Sequence, residues 1–255
     1  MTINDINPSV NFRDLGVYTN KDGRKIKSGL LYRSGGLYLM NEEEKEFFKS
    51  LNIKAILDLR TSGESEAKPD PVFENVEMIR HSGVVSKGGE EIDFSPTGMK
   101  QFCEGGYRQI DVLHQYYRQM PFENEALHIL MAELRKHNVP IVFHCATGKD
   151  RTGVAAMMIL SALEVEEEVI FNDYMLSAKY HEANLKRVLE EDKDKIEGHP
   201  EYETLLTMMT SVTPETGRLI IDEIKNRYGT LIDYVKQEYK FSDEELKQFQ
   251  DYYLQ

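Results

Sequence analysis

One short segment of the chain combines residue types that together are able to carry out phosphate chemistry. Residues 144–153 read HCATGKDRTG, so Cys145 lies six positions before Arg151 and small or glycine residues fill much of the gap. The apolar run VPIVF precedes this segment, and the helix-like run VAAMMILSAL follows it. The pattern predicts a loop between a strand and a helix that surrounds a phosphate dianion and attacks its phosphorus with sulfur.

The attack requires a thiolate, because a neutral thiol is a poor nucleophile. A ring of backbone N–H groups, the N-terminus of the following helix and the guanidinium of Arg151 all favour the charged sulfur. The same features bind phosphate and stabilise its transition state. The predicted catalytic pair is Cys145 and Arg151, and the predicted phosphate-binding residues are Ala146, Thr147, Gly148, Lys149, Asp150 and Arg151.

Neighbouring positions are predicted to support the loop. Gly148 allows a turn where a side chain would collide or φ must be positive, and Gly153 permits close packing of the helix start. Thr152 is able to donate its hydroxyl to the sulfur, which would help Cys145 leave in a second step. His144 is expected to order the loop through hydrogen bonds to backbone carbonyls, because a thiolate needs no general base.

Two other interpretations of Cys145 compete with this one. The residue could be a small buried hydrophobe at a strand end, or it could belong to a rhodanese-like sulfur-transfer loop. The complete pattern between an apolar strand and a helix favours phosphate chemistry over both, since Arg-Thr-Gly at the helix start is the ending typical of phosphatases.

Short apolar runs that alternate with helical patterns must position this loop. Residues 29–35, 53–60, 75–84 and 139–145 are predicted to be strands, and the last of them carries the cysteine. Capping signals predict helices that start near Asn41, Thr213-Pro214 and Ser242. The predicted fold class is α/β, with a largely parallel central sheet flanked by helices and with extra C-terminal helices.

A single domain over residues 1–255 is predicted, with a helical region over 165–255. Residues 84–106 are rich in glycine and charge and show no clear period. A loop or lid insertion is therefore predicted around residues 84–120, with a surface excursion as the alternative.

Composition excludes several classes of protein. The formal net charge of −13 disfavours binding to nucleic acid. The two cysteines do not make a disulfide scaffold, and the histidines show no metal-ligand spacing, so no metal or other cofactor is expected. No signal peptide or stretch of about 18 apolar residues is evident. The expectation is a cytoplasmic protein without stable membrane insertion, with export by an unrecognised route left open.

The motifs resemble the cysteine-based protein tyrosine phosphatase superfamily, whose signature is HCx5R. More narrowly, the chain is similar to the atypical bacterial phosphatases that act on phosphotyrosine and phosphoinositides. The resemblance covers nearly the whole chain and is carried by NFRDLG (11–16), LYRSG (31–35), ILDLRTSGE (56–64) and HCATGKDRTG (144–153). It implies a phosphorylated protein or phosphoinositide as partner and leaves the oligomeric state open.

The resemblance also implies a general acid that protonates the leaving oxygen. The chain contains no tryptophan, so the Trp-Pro-Asp loop that often carries this acid is absent. The resemblance to the atypical members implies that the general acid is the aspartate at the end of the LDLR strand, which is Asp58. A structural ion pair of Asp58 with Arg60 or Arg13 is the alternative, and Asp150 is the second candidate for the acid or for orienting water.

Three further residues have roles suggested by the resemblance or by their chemistry. Lys149 resembles the loop lysine of phosphoinositide phosphatases, which meets extra phosphates; a solvated charge is the alternative. Arg13 and Asp14 are expected to brace the site or to form a structural pair at the N-terminus. Cys103 could form a protective disulfide with Cys145, although an incidental cysteine is the favoured interpretation.

The predicted reaction is hydrolysis of phosphomonoesters through a phosphocysteine. Phosphotyrosine is the first substrate, followed by phosphoserine, phosphothreonine and phosphoinositides, which corresponds to dual specificity. Two alternatives remain: an inositol-phosphate hydrolase of the phytase kind, and an inactive module that only binds phosphorylated ligands.

Overall fold

The computed structural model describes residues 1–84 and 108–255. Its centre is a five-stranded sheet with the spatial order β1-β2-β5-β3-β4. The strand β1 pairs antiparallel with β2, and all other neighbours are parallel. The strands are β1 (Arg13–Asp14), β2 (Leu31–Ser34), β3 (Ala55–Asp58), β4 (Glu77–Arg80) and β5 (Ile141–His144).

Helices flank the sheet and form most of the C-terminal half. They are α1 (Glu42–Ser50), α2 (Ser62–Ala67), α3 (Arg108–Gln119), α4 (Glu125–Arg135), α5 (Asp150–Ala162), α6 (Glu167–Glu191), α7 (Lys193–Gly198), α8 (Pro200–Thr210), α9 (Pro214–Tyr228), α10 (Leu231–Glu238) and α11 (Asp243–Tyr253). Within the described ranges, no helix has the combination of length and apolarity needed to cross a bilayer.

Alternate residues of a strand point to opposite sides, and every residue of β2, β3 and β5 is buried, so these strands are covered on both faces, whereas the edge strand β4 is mostly exposed. Ile56 and Val142 belong to an apolar cluster that includes Phe48 of α1. Leu57 and Phe143 belong to a larger cluster on the other face, which includes the apolar residues of α5. From its second residue onward α5 is entirely buried, so this helix and the loop before it are held firmly by packing.

The α/β class with a mostly parallel sheet, predicted from the sequence, is confirmed. The predicted caps are also present: Asn41 and Ser242 each begin a helix in a capping box, and Thr213 caps α9 with Pro214 in its first turn. These signals are local, because the capping side chain and the amide that it accepts from lie three residues apart.

Part of the insertion predicted around residues 84–120 is helical. Residues 108–119 form helix α3, whose inner face includes the buried Leu113 and Tyr117. Residues 85–107, together with the predicted lid and Cys103, lie outside the described residues. A single domain over residues 1–255 stays a prediction.

Candidate active site

The cysteine lies where the parallel strands of the sheet end. Strand β5 is the central strand and ends at His144, so Cys145 emerges between the carboxyl ends of β2 and β3. Its side chain is almost completely buried, with 1% exposed. Helix α5 begins at Asp150, so residues 145–151, here called the catalytic loop, connect the sheet to the N-terminus of a buried helix.

The carbonyl groups of the catalytic loop point away from its centre. Each of four successive carbonyls accepts a hydrogen bond from a group outside the loop. Because a trans peptide holds its N–H opposite its carbonyl, the amides turn inward and form an anion-binding concavity around Cys145. The donors are His144 Nδ1 to Cys145 O (3.2 Å), Gly36 N to Ala146 O (3.1 Å), His181 Nε2 to Thr147 O (2.9 Å), and Asn11 Nδ2 (3.0 Å) and Arg33 Nη2 (2.9 Å) to Gly148 O.

Gly148 and Gly153 occupy positions where a side chain does not fit. The φ angle of Gly148 is +69°, and a Cβ there would lie 2.6 Å from the backbone nitrogen of Gly35. A Cβ on Gly153 would lie 2.7 Å from the ring of Tyr174. The tight turn therefore needs the first glycine, and the close approach of α6 to α5 needs the second.

Arg151 is oriented by a carboxylate that sequence reasoning missed. Glu64 of α2 binds both ends of its guanidinium fork, with Nη1–Oε2 at 2.6 Å and Nη2–Oε1 at 2.8 Å, and Nη1 also contacts the carbonyl of Leu59 at 3.3 Å. Burial raises the pKa of Glu64, but the hydrogen bond and charge of Arg151 outweigh it, and the pKa lies below its ordinary value. The Nε–Nη2 edge of the fork is the edge that a bound phosphate would use.

A capping signal could have drawn attention to Glu64. Thr61 caps α2, and its backbone N–H donates to Glu64 Oε2 at 2.9 Å. The same carboxylate thus completes a capping box and orients the guanidinium of Arg151. The spacing of Thr61 and Glu64 is visible in the sequence, whereas the partner of the carboxylate lies 87 positions away.

Asp58 lies at the end of β3, but its carboxylate does not face an open site. The side chain is fully buried, and Arg60 binds both of its oxygens at 2.8 Å. Burial raises the pKa of Asp58, yet the charges of His144 and Arg60 together with the Arg60 hydrogen bonds hold it below its usual value. This geometry favours the structural ion pair with Arg60, and the role of Asp58 as general acid stays a prediction.

Asp150 is more accessible, with 17% of its side chain exposed. Its Oδ1 accepts a hydrogen bond from the hydroxyl of Tyr117 at 2.9 Å, and its Oδ2 lies 2.9 Å from Lys149 Nζ. A hydroxyl can either donate or accept, so Tyr117 suits both the charged and the protonated form of Asp150. Of the two candidate acids, Asp150 is the more exposed and has one cation at one of its oxygens, whereas Arg60 binds both oxygens of the fully buried Asp58.

The expected role of Lys149 toward extra phosphates is not supported by its orientation. Its ammonium group is buried and donates to the carbonyls of Met208 (2.9 Å) and Ser211 (3.1 Å), in addition to its contact with Asp150. An ammonium has three protons, and these three acceptors can take all of them. Lys149 therefore ties the catalytic loop to the end of α8 instead of facing the phosphate.

Two supporting residues also contact partners other than those expected. The Thr152 hydroxyl donates to the carbonyl of Ser34 at 3.4 Å. The carboxylate of Asp14 accepts from the backbone amides of Gly16 and Gly29, both at 2.8 Å, and so braces a turn outside the loop. In both cases a nearby backbone group offers a hydrogen bond that sequence spacing does not reveal.

Polar residues at helical spacing on α6 were a second missed signal. Asp173, Ser177 and His181 recur every four residues and are all buried, so they form one polar stripe. His181 contacts Thr147 of the loop, whereas Ser177 contacts Asn11 and Asp173 binds the arginines beneath the loop. Burial, followed by the charge of Lys149, lowers the pKa of His181, which favours the neutral ring that donates from Nε2 to Thr147.

One group among the described residues has the composition of a metal site. Ligand atoms of Asp58, Asp70 and His144 lie within 4.8 Å of one another. Arg60 Nη2 contacts both carboxylates, so a guanidinium already occupies the position between them.

Comparison with known proteins places these features in a family context. The model described as "Tyrosine phosphatase family" matches residues 5–255. A Cupriavidus necator protein provisionally named a tyrosine-protein phosphatase is 27% identical over 183 residues, which are 70% of this chain and 65% of that protein. The "Triple specificity protein phosphatase PtpB" of Mycobacterium tuberculosis is 25% identical over 199 residues, 69% of this chain and 70% of that protein.

A solved structure with partial similarity is the core catalytic domain of the PP-IP phosphatase SIW14 from S. cerevisiae in complex with citrate. It is 18% identical, covers 58% of this chain and 70% of that chain, and has a TM-score of 0.34. The superposition is too limited to bear on the substrate of this chain. The alignment with the Cupriavidus necator protein leaves about a third of that protein unmatched.

Proposed function

The chain belongs to the tyrosine phosphatase family, and on that premise we propose that it hydrolyses phosphomonoesters through a phosphocysteine on Cys145. The observation that carries the proposal is the outward hydrogen bonding of four successive catalytic-loop carbonyls beside a buried cysteine, from which the inward orientation of the amides follows. Arg151, held by Glu64, adds a charged fork at the rim of the same concavity. This arrangement fits the equatorial oxygens of a phosphoryl group in transfer.

In the first step the sulfur of Cys145 attacks phosphorus in line with the leaving oxygen. The S–P bond forms, the P–O bond to the leaving group breaks, and the leaving oxygen takes a proton from Asp150. The loop amides and Arg151 hold the three equatorial oxygens while the charge spreads over them. Helix α5 directs its N-terminus at the same point, which favours both the thiolate and the phosphate.

In the second step water attacks the phosphocysteine. Asp150, now charged, accepts a proton from the water; the new P–O bond forms and the P–S bond breaks. Inorganic phosphate leaves, and the sulfur returns to its anionic form. One residue that donates and then accepts a proton is sufficient for both steps.

A pair of variants separates the two candidate acids. Asp150→Asn is expected to lower kcat for phenyl phosphate about a hundredfold, with a smaller loss for p-nitrophenyl phosphate, whose leaving group needs no proton. Asp58→Asn is expected to act mainly on folding, since it leaves the buried Arg60 poorly paired and lowers the free energy of unfolding by about 3 kcal/mol. Steady-state kinetics on both substrates and thermal unfolding measure these effects. A leaving-group-dependent loss in a normally stable Asp58→Asn protein would return the acid role to Asp58.

Phosphotyrosine is the substrate that this site supports best. Lys149, the loop lysine that would have served additional phosphates, is bound to the carbonyls of Met208 and Ser211, so this residue lends no extra charge for phosphoinositides or inositol phosphates. Phosphoserine, phosphothreonine and phosphoinositides follow as weaker substrates. The mycobacterial relative is named a triple specificity phosphatase, which supports a site that accepts more than one ester.

A substrate panel tests this order. We expect the highest kcat/KM for a phosphotyrosine peptide, with lower values for a phosphoserine peptide, a phosphoinositide in mixed micelles and inositol hexakisphosphate. Release of inorganic phosphate measures all four in one assay. Preference for inositol hexakisphosphate would contradict the substrate class, whereas absence of turnover with every substrate would support a module that only binds.

A further inference from the structure

Three buried charged side chains lie beneath the catalytic loop and have no part in the reaction described above. Arg33 is fully buried, Asp173 is 2% exposed and Arg13 is 8% exposed. Arg33 Nη1 pairs with Asp173 Oδ2, and Arg13 Nε lies 3.4 Å from Asp173 Oδ1. The two arginines come from β2 and β1, and the aspartate comes from α6, so three elements meet at this charge cluster.

The charge cluster contains one more cation than anion. Asp173 accepts from both arginines and from the hydroxyl of Tyr18 at 2.8 Å, so its single negative charge faces two positive ones. Burial, and then the charge of Arg33, lower the pKa of Arg13 to about 10, which still leaves the guanidinium charged near pH 7. An excess charge in a buried place is costly unless another anion compensates it.

The cluster is joined to the catalytic loop by direct contacts. Arg33 Nη2 donates to Gly148 O at 2.9 Å. Arg13 Nη1 donates to Asn11 Oδ1, and the amide nitrogen of Asn11 donates to Gly148 O at 3.0 Å. Arg33 therefore touches the loop, whereas Arg13 acts on it through Asn11 and through its charge.

The other charges around the loop are matched by opposite charges. Glu64 pairs with Arg151, and Lys149 pairs with Asp150. Asp58 and Asp70 share Arg60, His144 Nε2 lies 3.3 Å from Asp70, and the exposed Arg80 lies 3.9 Å from Asp58. Among the ion pairs described around the loop, the charge cluster is the group in which cations outnumber anions.

We propose that Arg13 is a positioning residue whose charge makes the catalytic loop a stronger binding site for dianionic phosphate. The inference rests on the proposed function, because it assigns a source of affinity to the same site. A bound phosphoryl group supplies the anion that the charge cluster lacks, and the low dielectric of the buried site keeps the attraction strong. The NFRDLG motif would then serve substrate binding through its arginine.

The test compares two variants of Arg13. Arg13→Gln removes the excess charge and leaves the contact of Arg33 with Gly148, and Arg13→Lys is the matched variant that keeps the charge. Competitive inhibition by inorganic phosphate is the first readout. We expect the inhibition constant to rise about fivefold to tenfold in Arg13→Gln and, because the ammonium keeps the charge, to stay within about twofold of the wild type in Arg13→Lys.

The second readout needs no turnover. Cys145 is alkylated with anionic iodoacetate and with neutral iodoacetamide, and the ratio of the two rate constants at the Cys145 peptide is compared. The same thiolate attacks both reagents, so a change in the ratio reports a change in the electrostatic potential at Cys145. We expect the iodoacetate-to-iodoacetamide ratio to fall about fivefold in Arg13→Gln and to recover in Arg13→Lys; an unchanged ratio in Arg13→Gln would overturn the proposal even if activity falls.

A variant that changes the charge of the cluster in the opposite direction keeps the test decisive if Arg13→Gln fails to fold. Asp173→Asn increases the excess positive charge, so the alkylation ratio is expected to rise, and a fall would contradict the proposal. Thermal unfolding of each variant verifies that the protein is folded. If the wild type hydrolyses no phosphomonoester, the proposed function fails. The alkylation ratios still decide, in that case, whether the charge of Arg13 raises the electrostatic potential at the catalytic loop.

Discussion

Replacement of Cys145 by serine is expected to reduce the hydrolysis of p-nitrophenyl phosphate by about a thousandfold or more. Serine has nearly the same shape as cysteine, but its hydroxyl is far less acidic than a thiol. The loop amides and Arg151 stay in place because their positions depend on Asn11, Arg33, His181 and Glu64. Binding of tungstate, measured by calorimetry, should therefore persist in the variant.

Cys103→Ser provides the matched control, since it makes the same change at the only other cysteine of the chain. Its turnover should equal that of the wild type. Residual activity of Cys145→Ser within about tenfold of the wild type would exclude sulfur as the nucleophile, because removal of a covalent nucleophile costs far more. Loss of tungstate binding together with activity would instead indicate a collapsed loop.

Replacement of Arg151 by lysine is the second change with a large expected effect. An ammonium keeps the charge but lacks the planar fork, so it cannot bind Glu64 and two phosphate oxygens at once. We expect kcat/KM for p-nitrophenyl phosphate to fall by about a hundredfold or more. In contrast to Cys145→Ser, this variant should also lose most of its tungstate affinity in the same calorimetric experiment.

Glu64→Gln is the companion variant, because it weakens the partner of Arg151 and leaves the arginine itself. The amide can still accept from one end of the fork, so a drop of about tenfold in kcat/KM is expected. A loss as large as that of Arg151→Lys would mean that Glu64 takes part in the reaction directly. No loss at all would show that Leu59 and the packing of α5 orient the arginine without it.

The part of the site that could be predicted is the part that is contiguous in the chain. Cys145, the amides that follow it and Arg151 lie within seven residues, between an apolar strand and a buried helix, so their proximity follows from local geometry. The helix caps at Asn41 and Ser242 were predicted for the same reason. The fold class followed from the alternation of apolar runs with helical patterns.

Residues whose role depends on a distant partner could not be assigned from the sequence. Lys149 was expected to face phosphate, but carbonyls about sixty positions later bind it. Asp58 is a different case, because its partner Arg60 lies only two positions away and the sequence allowed both a general acid and an ion pair; Arg60 binds both of its oxygens, and the acid role stays a prediction. Arg33 and Asp173 are 140 positions apart, and their pairing requires the three-dimensional fold.

Some of the missed residues nevertheless left a trace in the sequence. The polar residues Asp173, Ser177 and His181 repeat at four-residue intervals on a helix that otherwise buries apolar side chains, and Thr61 with Glu64 forms a capping box directly after the LDLR strand. Such buried polar repeats indicate that a helix faces something other than a core. Here it faces a carbonyl of the catalytic loop through His181 and the arginines beneath the loop through Asp173.

The most direct test of the phosphocysteine on Cys145 is its detection during turnover. Wild-type protein mixed with excess p-nitrophenyl phosphate is quenched in acid within milliseconds, digested and analysed by mass spectrometry. The proposed reaction predicts one phosphoryl group on the peptide that contains Cys145, absent before substrate is added and absent in Cys145→Ser. An unmodified Cys145 peptide under conditions of rapid turnover, or a phosphoryl group on another residue, would contradict it.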